Sequence, residues 1–320
     1  MNYIVLDLEW NQCPDGKEKE NKELPFEIIE IGAIKLDENR RYIDTFHRLI
    51  APQVYQVLHH VTRELIQTTM DDLKKGENYV TAMESFLNWC KEDYIFCTWG
   101  SMDLTELQRN NRFFGVCDNF PQPFIYYDLQ KSYSLCYDDG KSRISLETAI
   151  EEMQIEKDNS FHSALFDAQY TAKIMQKMDF DKVKTYSSVD TYVIPKNRKE
   201  EFTINYGTYS KFVSKGYDDR DDVLRDGYIL SSECYLCKKN AKKKIKWFSG
   251  NQKTYYCVAK CDTHGYLKGR IKIKKTDDDK YYAVKIMKIT DSDGAAAVRE
   301  KQAAAREKRR ERRHKVKLRS

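Results

Sequence analysis

Tyr3-Ile4-Val5-Leu6-Asp7-Leu8-Glu9-Trp10 sets two carboxylates into an otherwise apolar run. In a strand, side chains two apart share a face, so Asp7 and Glu9 point together while Leu6 and Leu8 point the other way. Burying unpaired charge is costly, so charges in such a strand usually bind something, most often a metal. Clustered hard oxygen donors suit Mg²⁺ or Mn²⁺. On this segment alone the plainer reading, a strand end in water, stands beside the metal reading.

Two further segments join the first. Phe161-His162-Ser163-Ala164-Leu165-Phe166-Asp167-Ala168 places a histidine five residues before a carboxylate. Ser163 reads as an N-cap and 164–178 as a helix. His162 falls just before that helix, which frees its ring to reach the site Asp167 faces, and a neutral imidazole beside metal-bound water can serve as general base. Between them, Tyr94-Ile95-Phe96-Cys97-Thr98-Trp99 reads as a strand, Gly100-Ser101-Met102 as a turn, and Asp103 opens a helix; a simple helix cap is the bland alternative for Asp103.

Together Asp7-x-Glu9, Asp103 within Trp-Gly-Ser-Met-Asp-Leu-Thr-Glu-Leu, and His162-x4-Asp167 resemble the DEDDh exonucleases, the RNase T and DNA polymerase proofreading superfamily. Glu27–Lys35 looks like that family's second strand. His59-His60-Val61-Thr62-Arg63-Glu64-Leu65 is similar to its His-Gly-Ile-Thr-x-Glu segment, with His60 where glycine is usual. Asp7-Leu8-Glu9-Trp10 resembles in particular the Eri-type RNA exonucleases and the bacterial inhibitor-of-the-KinA-pathway proteins. The resemblance covers about residues 1–180. It implies an α/β, RNase H-like fold with a mixed five-stranded sheet flanked by helices, and two Mg²⁺ or Mn²⁺ in the site. It implies that Asp7 bridges both metals, that Glu9 binds one and contacts the terminal 3′ hydroxyl, that Asp103 and Asp167 support one metal each, and that His162 deprotonates the attacking water. Leu8 and His59 are expected to touch the nucleic acid.

Periodicity places strands at 3–9, 27–36, 41–50, 94–98 and 124–128, and helices at 63–75, 78–92, 103–114, 129–137, 145–153 and 164–178. The polar stretch Asn11–Pro25 reads as a flexible loop at the rim of the site. The expected organisation is an exonuclease domain over 1–180, a linker over 181–225, a zinc-ribbon-like nucleic-acid-binding module over 226–290 and a basic tail over 291–320, disordered alone or helical on a polyanion.

The module rests on its cysteines. Cys234-Tyr235-Leu236-Cys237 is followed, after 23 residues, by Cys261-Asp262-Thr263-His264-Gly265. Two such knuckles flanking a hairpin suit one structural Zn²⁺ on Cys234, Cys237, Cys261 and His264. Cys257 is a competing ligand, and redox use of the CxxC is the rival reading. Residues 238–275 carry a net charge of +12 and 295–320 one of +8, against +5 for the whole chain, so the remainder is net −15. Lys242, Lys243 and Lys244 with Trp247 and Tyr255 therefore read as a surface for single-stranded nucleic acid, lysines on phosphate and rings on bases. A solvated hairpin with its aromatics in a small core is the alternative.

At 320 residues and 41% hydrophobic, the chain can hold one sizeable core plus a smaller module. It has no apolar run of membrane length and no visible signal peptide, and its 9 cysteines sit mostly in apolar contexts, as reduced thiols would. The expectation is a cytoplasmic 3′→5′ exonuclease acting on single-stranded nucleic acid, RNA favoured, with no membrane and no obligate protein partner. The rivals are a DNA exonuclease of repair or proofreading, and a catalytically weak RNA-binding regulator on the same scaffold.

Overall fold

The computed structural model describes residues 1–157 and 162–317, with side chains as far as Glu311. Phe161, and residues 318–320 of the tail, lie outside the described residues. The chain divides into two compact units, Met1–Tyr192 and Val193–Ser320.

The first unit runs β1 (Asn2–Gln12), β2 (Phe26–Leu36), β3 (Tyr42–Leu49), α1 (His60–Leu65), α2 (Met70–Leu73), α3 (Tyr79–Cys90), β4 (Tyr94–Thr98), α4 (Met102–Phe114), β5 (Ile125–Asp128), α5 (Leu129–Tyr137), α6 (Leu146–Glu152), α7 (Ala164–Lys177), α8 (Phe180–Val183) and β6 (Ser188–Val189). Its sheet has the order β3-β2-β1-β4-β5-β6. β1 pairs antiparallel with β2 and parallel with β4, so the sheet is mixed as expected. It has six strands, not five, because the two-residue β6 pairs Val189 with Ile125 at the edge. A strand that short carries no periodicity for a sequence reading to find.

β1 sits at the centre, and its alternation sorts the two layers. Ile4, Leu6 and Leu8 pack with Met83 and Phe86 of α3 and Leu104 and Leu107 of α4. Tyr3 and Val5, in the same row as Asp7 and Glu9, pack with Ala168, Ala172 and Met175 of α7. The carboxylate row thus faces the helix that carries Asp167. The expected helix 63–75 is two short helices: Ile66 turns extended after α1, and Thr69 starts α2 by accepting from Asp72 N–H.

The second unit is built on β7 (Phe202–Asn205), β8 (Tyr209–Val213), α9 (Arg220–Arg225), β9 (Lys242–Ser249), β10 (Thr254–Cys261), β11 (Gly265–Lys275), β12 (Tyr281–Thr290) and α10 (Ser292–Lys317). Its strands form one antiparallel sheet, β7-β8-β12-β11-β10-β9. The stretch expected to be a linker, 181–225, instead supplies α8 and β6 to the first unit and β7, β8 and α9 to the second. Phe212 and Val213 are buried, the latter against Tyr282 and Val284. The tail also differs from expectation. It is helical from Ser292, and Ala295 and Val298 dock on Ile245, Val258, Phe248, Tyr256 and Tyr266. Those two small apolar residues replace the long stripe that the sequence lacks. Gly294 permits the approach, since a Cβ there would fall 1.9 Å from Thr290 Oγ1. Among the described residues no helix is long and apolar enough to cross a membrane.

Candidate active site and cysteine cluster

The register of β1 on β2 pairs Asp7 with Gly32 and Glu9 with Glu30, and a bulge follows Glu9. Gly32 lets α7 lie directly on β2: a Cβ on it would meet the Ala164 carbonyl carbon at 2.1 Å. That approach carries the start of α7 to the carboxylates. Donor atoms of Glu9, His162 and Asp167 lie within 4.8 Å of one another. His162 adopts left-handed backbone (φ 64°), is exposed, and donates its N–H to Asp167 Oδ2 at 3.3 Å. Asp103, in the first turn of α4, is buried and accepts from the backbone N–H of Leu8. Ser101, not Asp103, holds the N-cap position of α4.

The electrostatics of this cluster are unfavourable without cations. Burial, then Asp103, Glu9, Asp167 and Glu30, hold the Asp7 carboxyl well above the usual carboxylate range. Burial and the neighbouring carboxylates push Glu9 up to about 8. Burial also lifts Asp103 to about 7 and Asp167 to about 6, the latter held back by the His162 N–H. Asp167 Oδ1 is buried and has no hydrogen-bond partner among the described residues. Buried, mutually repelling hard-oxygen donors with an orphaned lone pair fit a pair of Mg²⁺ or Mn²⁺ ions.

Sequence reading missed Glu30. It is buried beside Glu9, accepts from Ser163 Oγ at 2.9 Å, and lies 2.9 Å from His47 Nε2. Ser163 is therefore no side-chain cap of α7; its hydroxyl ties the start of the helix to β2. A charged residue inside an apolar strand was the available signal, but the same signal marks Glu27, whose carboxylate is fully used by the N–H groups of Gln53, Val54 and Tyr55. Leu8 is buried on the far face, so its backbone, not its side chain, serves the site. His59 caps α1, its Nδ1 accepting from Val61 N–H at 3.3 Å. The 11–25 loop is pinned: Leu24 is buried, and the Tyr55 hydroxyl bridges Leu24 O and Asn21 N–H.

A sequence profile of the exonuclease (RNase T) family matches residues 4–175. The chain belongs to the exonuclease family. Curated relatives include ERI1 exoribonuclease 2 of Xenopus laevis, 26% identical over 211 residues (56% of this chain and 28% of that protein). Another is 3′-5′ exoribonuclease 1 of Rattus norvegicus, 25% identical over 194 residues (55% and 53%). The chain thus spans about half or less of the length of these relatives. Among solved structures, the nuclease domain of 3′hExo bound to rAMP aligns with 59% of this chain and 96% of that one, at 22% identity and a TM-score of 0.49. All the residues of the three motifs fall inside the exonuclease match.

Beyond that match, Cys234, Cys237, Cys261 and His264 bring their donor atoms within 4.8 Å of one another. Cys237 and Cys261 sulfurs are 3.6 Å apart, and His264 Nδ1 lies 3.6 Å from Cys234 Sγ and 3.8 Å from Cys261 Sγ. The two leading cysteines share a pattern. Cys234 receives the N–H groups of Leu236 and Cys237; Cys261 receives those of Thr263 and His264. Backbone donation from His264 and Thr263 lowers the Cys261 thiol to about 6, while burial raises that of Cys234. Cys257 is not in the cluster. It is buried beneath Gly269 and Trp247, and burial pushes its thiol up to about 12.

The expected nucleic-acid residues divide. Lys242, Lys243 and Lys244 are exposed on β9. Trp247 is not a platform: it packs in the sheet core and its Nε1 donates to Leu230 O at 2.9 Å. Tyr255 packs in the core around Val223 and Ile229, and its hydroxyl accepts from Arg220 at 2.8 Å.

Proposed function

We propose that the chain is a 3′→5′ exonuclease that trims single-stranded RNA to nucleoside 5′-monophosphates. The observation that carries this is the convergence of half-buried Asp7, Glu9 and Asp167 with buried Asp103 beside an exposed His162, in an exonuclease-family domain. Asp7, Glu9, Asp103 and Asp167 would hold two Mg²⁺ or Mn²⁺. When bound, the pair supplies Lewis-acid stabilisation of the attacking and leaving oxygens of an in-line displacement. Glu9 accepts from the terminal 3′ hydroxyl and so sets the polarity of digestion. His162 takes the proton of the attacking water, and its N–H tie to Asp167 fixes where it stands. The tie from Ser163 to Glu30 keeps α7 seated against β2. RNA is favoured by the exoribonuclease names of the curated relatives. Cys234, Cys237, Cys261 and His264 would hold one structural zinc.

The test is digestion of matched 3′-labelled RNA and DNA with Mn²⁺, each ending in a 3′ hydroxyl or a 3′ phosphate, beside circular strands. Stepwise release of 5′-monophosphates from the 3′-hydroxyl RNA is expected. The 3′-phosphate strand should be cut at least about tenfold more slowly, because loss of a hydrogen-bonded hydroxyl leaves a buried partner unpaired. Faster digestion of the DNA would move the substrate to DNA. Degraded circles would replace the exonuclease reading with an endonuclease.

His162→Ala should lose roughly 10²–10⁴-fold in kcat with little change in KM. Near-normal turnover in the variant would make His162 a structural residue.

A further inference from the structure

The second unit carries a row of positive charge on the sheet face opposite Trp247 and Tyr255. β11 alternates: Leu267, Gly269, Ile271 and Ile273 are buried, while Lys268, Arg270, Lys272 and Lys274 take the other face. The register puts Lys272 beside Thr254 and Arg270 beside Tyr256 on that face. Residues two apart on a strand are about 7 Å apart, comparable to the spacing of successive phosphates on an extended single strand.

α10 crosses the same face. Lys301 stands 5.1 Å over the Tyr256 ring, and Arg309 donates to Ser249 O at 3.2 Å, fixing the helix to the β9–β10 turn. Between helix, turn and β11 lies a cleft of about 750 Å³ with Lys253, Lys272, Lys308 and Arg309 in its walls. No acidic residue lines it, and none of these four side chains has an ion pair among the described residues. Apart from Ala305 the rest of the lining is neutral and mostly polar: the Ser249–Thr254 turn brings the side-chain amides of Asn251 and Gln252 and the Thr254 hydroxyl. Cations gathered without counter-charge repel one another, and a polyanion relieves that repulsion. A concave, donor-rich channel with no base-stacking ring left free suits phosphate and sugar contacts, which position a strand without reading its sequence.

We propose that the cleft between α10, β11 and the β9–β10 turn binds the sugar–phosphate backbone of single-stranded RNA. The choice of polymer rests on the exonuclease reading above; the phosphate chemistry of the cleft does not.

The probe is a fluorescein-labelled 20-nucleotide oligouridylate, with its deoxy counterpart, titrated by anisotropy with the full chain bearing Asp7→Asn so that the strand stays intact. Lys272→Glu with Lys308→Glu should weaken binding at least about thirtyfold at low salt and flatten the salt slope by about 1.4, two phosphate contacts of a single strand. Lys238→Glu with Lys239→Glu, the same charge change on the exposed first knuckle, should stay within about threefold of the parent. Equal losses in the two pairs, or a cleft pair within threefold of the parent, overturns the site. So does a cleft pair that loses polyglutamate binding but keeps RNA. Tighter binding of the deoxy strand keeps the phosphate cleft and overturns the choice of RNA. Lys253→Ala with Lys272→Ala gives the same reading if the reversal pair fails to show the parental melting curve. Dinucleotide hydrolysis by the cleft pair with Asp7 restored separates the two ideas: hydrolysis with undiminished RNA binding refutes the cleft alone, and cleft-dependent binding without hydrolysis refutes the nuclease alone.

Discussion

Asp7→Asn is expected to lower metal-dependent hydrolysis at least about a hundredfold, because it removes a carboxylate from the centre of the metal-binding set. The same substitution is expected to raise the melting temperature of protein kept free of Mg²⁺ and Mn²⁺. The reason is the sign of the shifts. Asp7, Glu9, Asp103 and Asp167 all titrate higher in the folded protein than an ordinary carboxyl, so the folded state binds more protons than the unfolded one. Stability must then rise as pH falls. For Glu9 the gain begins near its folded value of about 8 and is complete near its ordinary value of 4.5; for Asp103 it runs from about 7 to 3.8. Metal-free protein should therefore melt progressively higher from pH 8 to pH 5, and Mn²⁺ should remove most of that trend by supporting the alkaline end. The amide takes away one of the repelling charges, and each kcal/mol of relief is worth about 2–4 °C in a domain of this size. A variant that keeps activity, or one that melts lower with the pH trend unchanged, would show that the carboxylates are neutralised in some other way.

The second large effect concerns the cysteine cluster. Protein purified without chelator should hold about one zinc per chain, and Cys261→Ser should lose it, whereas Cys257→Ala should keep it. Cys261 would be the decisive ligand because its two backbone N–H donors lower its thiol to about 6, whereas at Cys234 burial outweighs the same pair of donors. Cys234, Cys261, Tyr235, Ala241, Ala259, Leu267 and Met287 form one apolar cluster, so the cysteine cluster and the local sheet core share side chains. Zinc removal should accordingly unfold about residues 230–275, seen as new protease cleavage there, while the exonuclease domain stays resistant and still cuts very short oligonucleotides. A metal content near zero, or a zinc-free chain with an unchanged cleavage pattern, would remove the zinc from the account.

The residues that converge in the candidate site were largely legible because their signals break local rules. A carboxylate in an apolar strand, or a histidine poised before a helix, is costly enough to announce a purpose. The same logic does not separate Glu30, which borders the site, from Glu27, which only ties down the 53–55 backbone, since both read as acids in one strand. Their difference lies in partners far away in sequence. Trp247 and Tyr255 went astray for a related reason: an aromatic between lysines looks like a stacking platform until the buried side of the strand is known, and that side was set by β8, β12 and α9. β7 and β8 were hidden in a polar stretch: β7 is a half-buried edge strand, and β8, one strand further in, spends a buried position on Ser210 and has Phe212 and Val213 buried side by side, which breaks the alternation. The docking of α10 depended on two small side chains and one glycine, too faint a stripe to outweigh a run of arginines.

The contact of Gly32 with Ala164 also sets an order of events on the ribosome. Asp7, Glu9 and Glu30 are made before the helix that confines them, which comes only after β5, α5 and α6. Until α7 closes on Gly32, the first three acids face solvent on a growing sheet and their repulsion is screened. A nascent chain thus meets the electrostatic strain of its site late, when most of the domain is already in place to resist it, and only α8 and β6 are still to come.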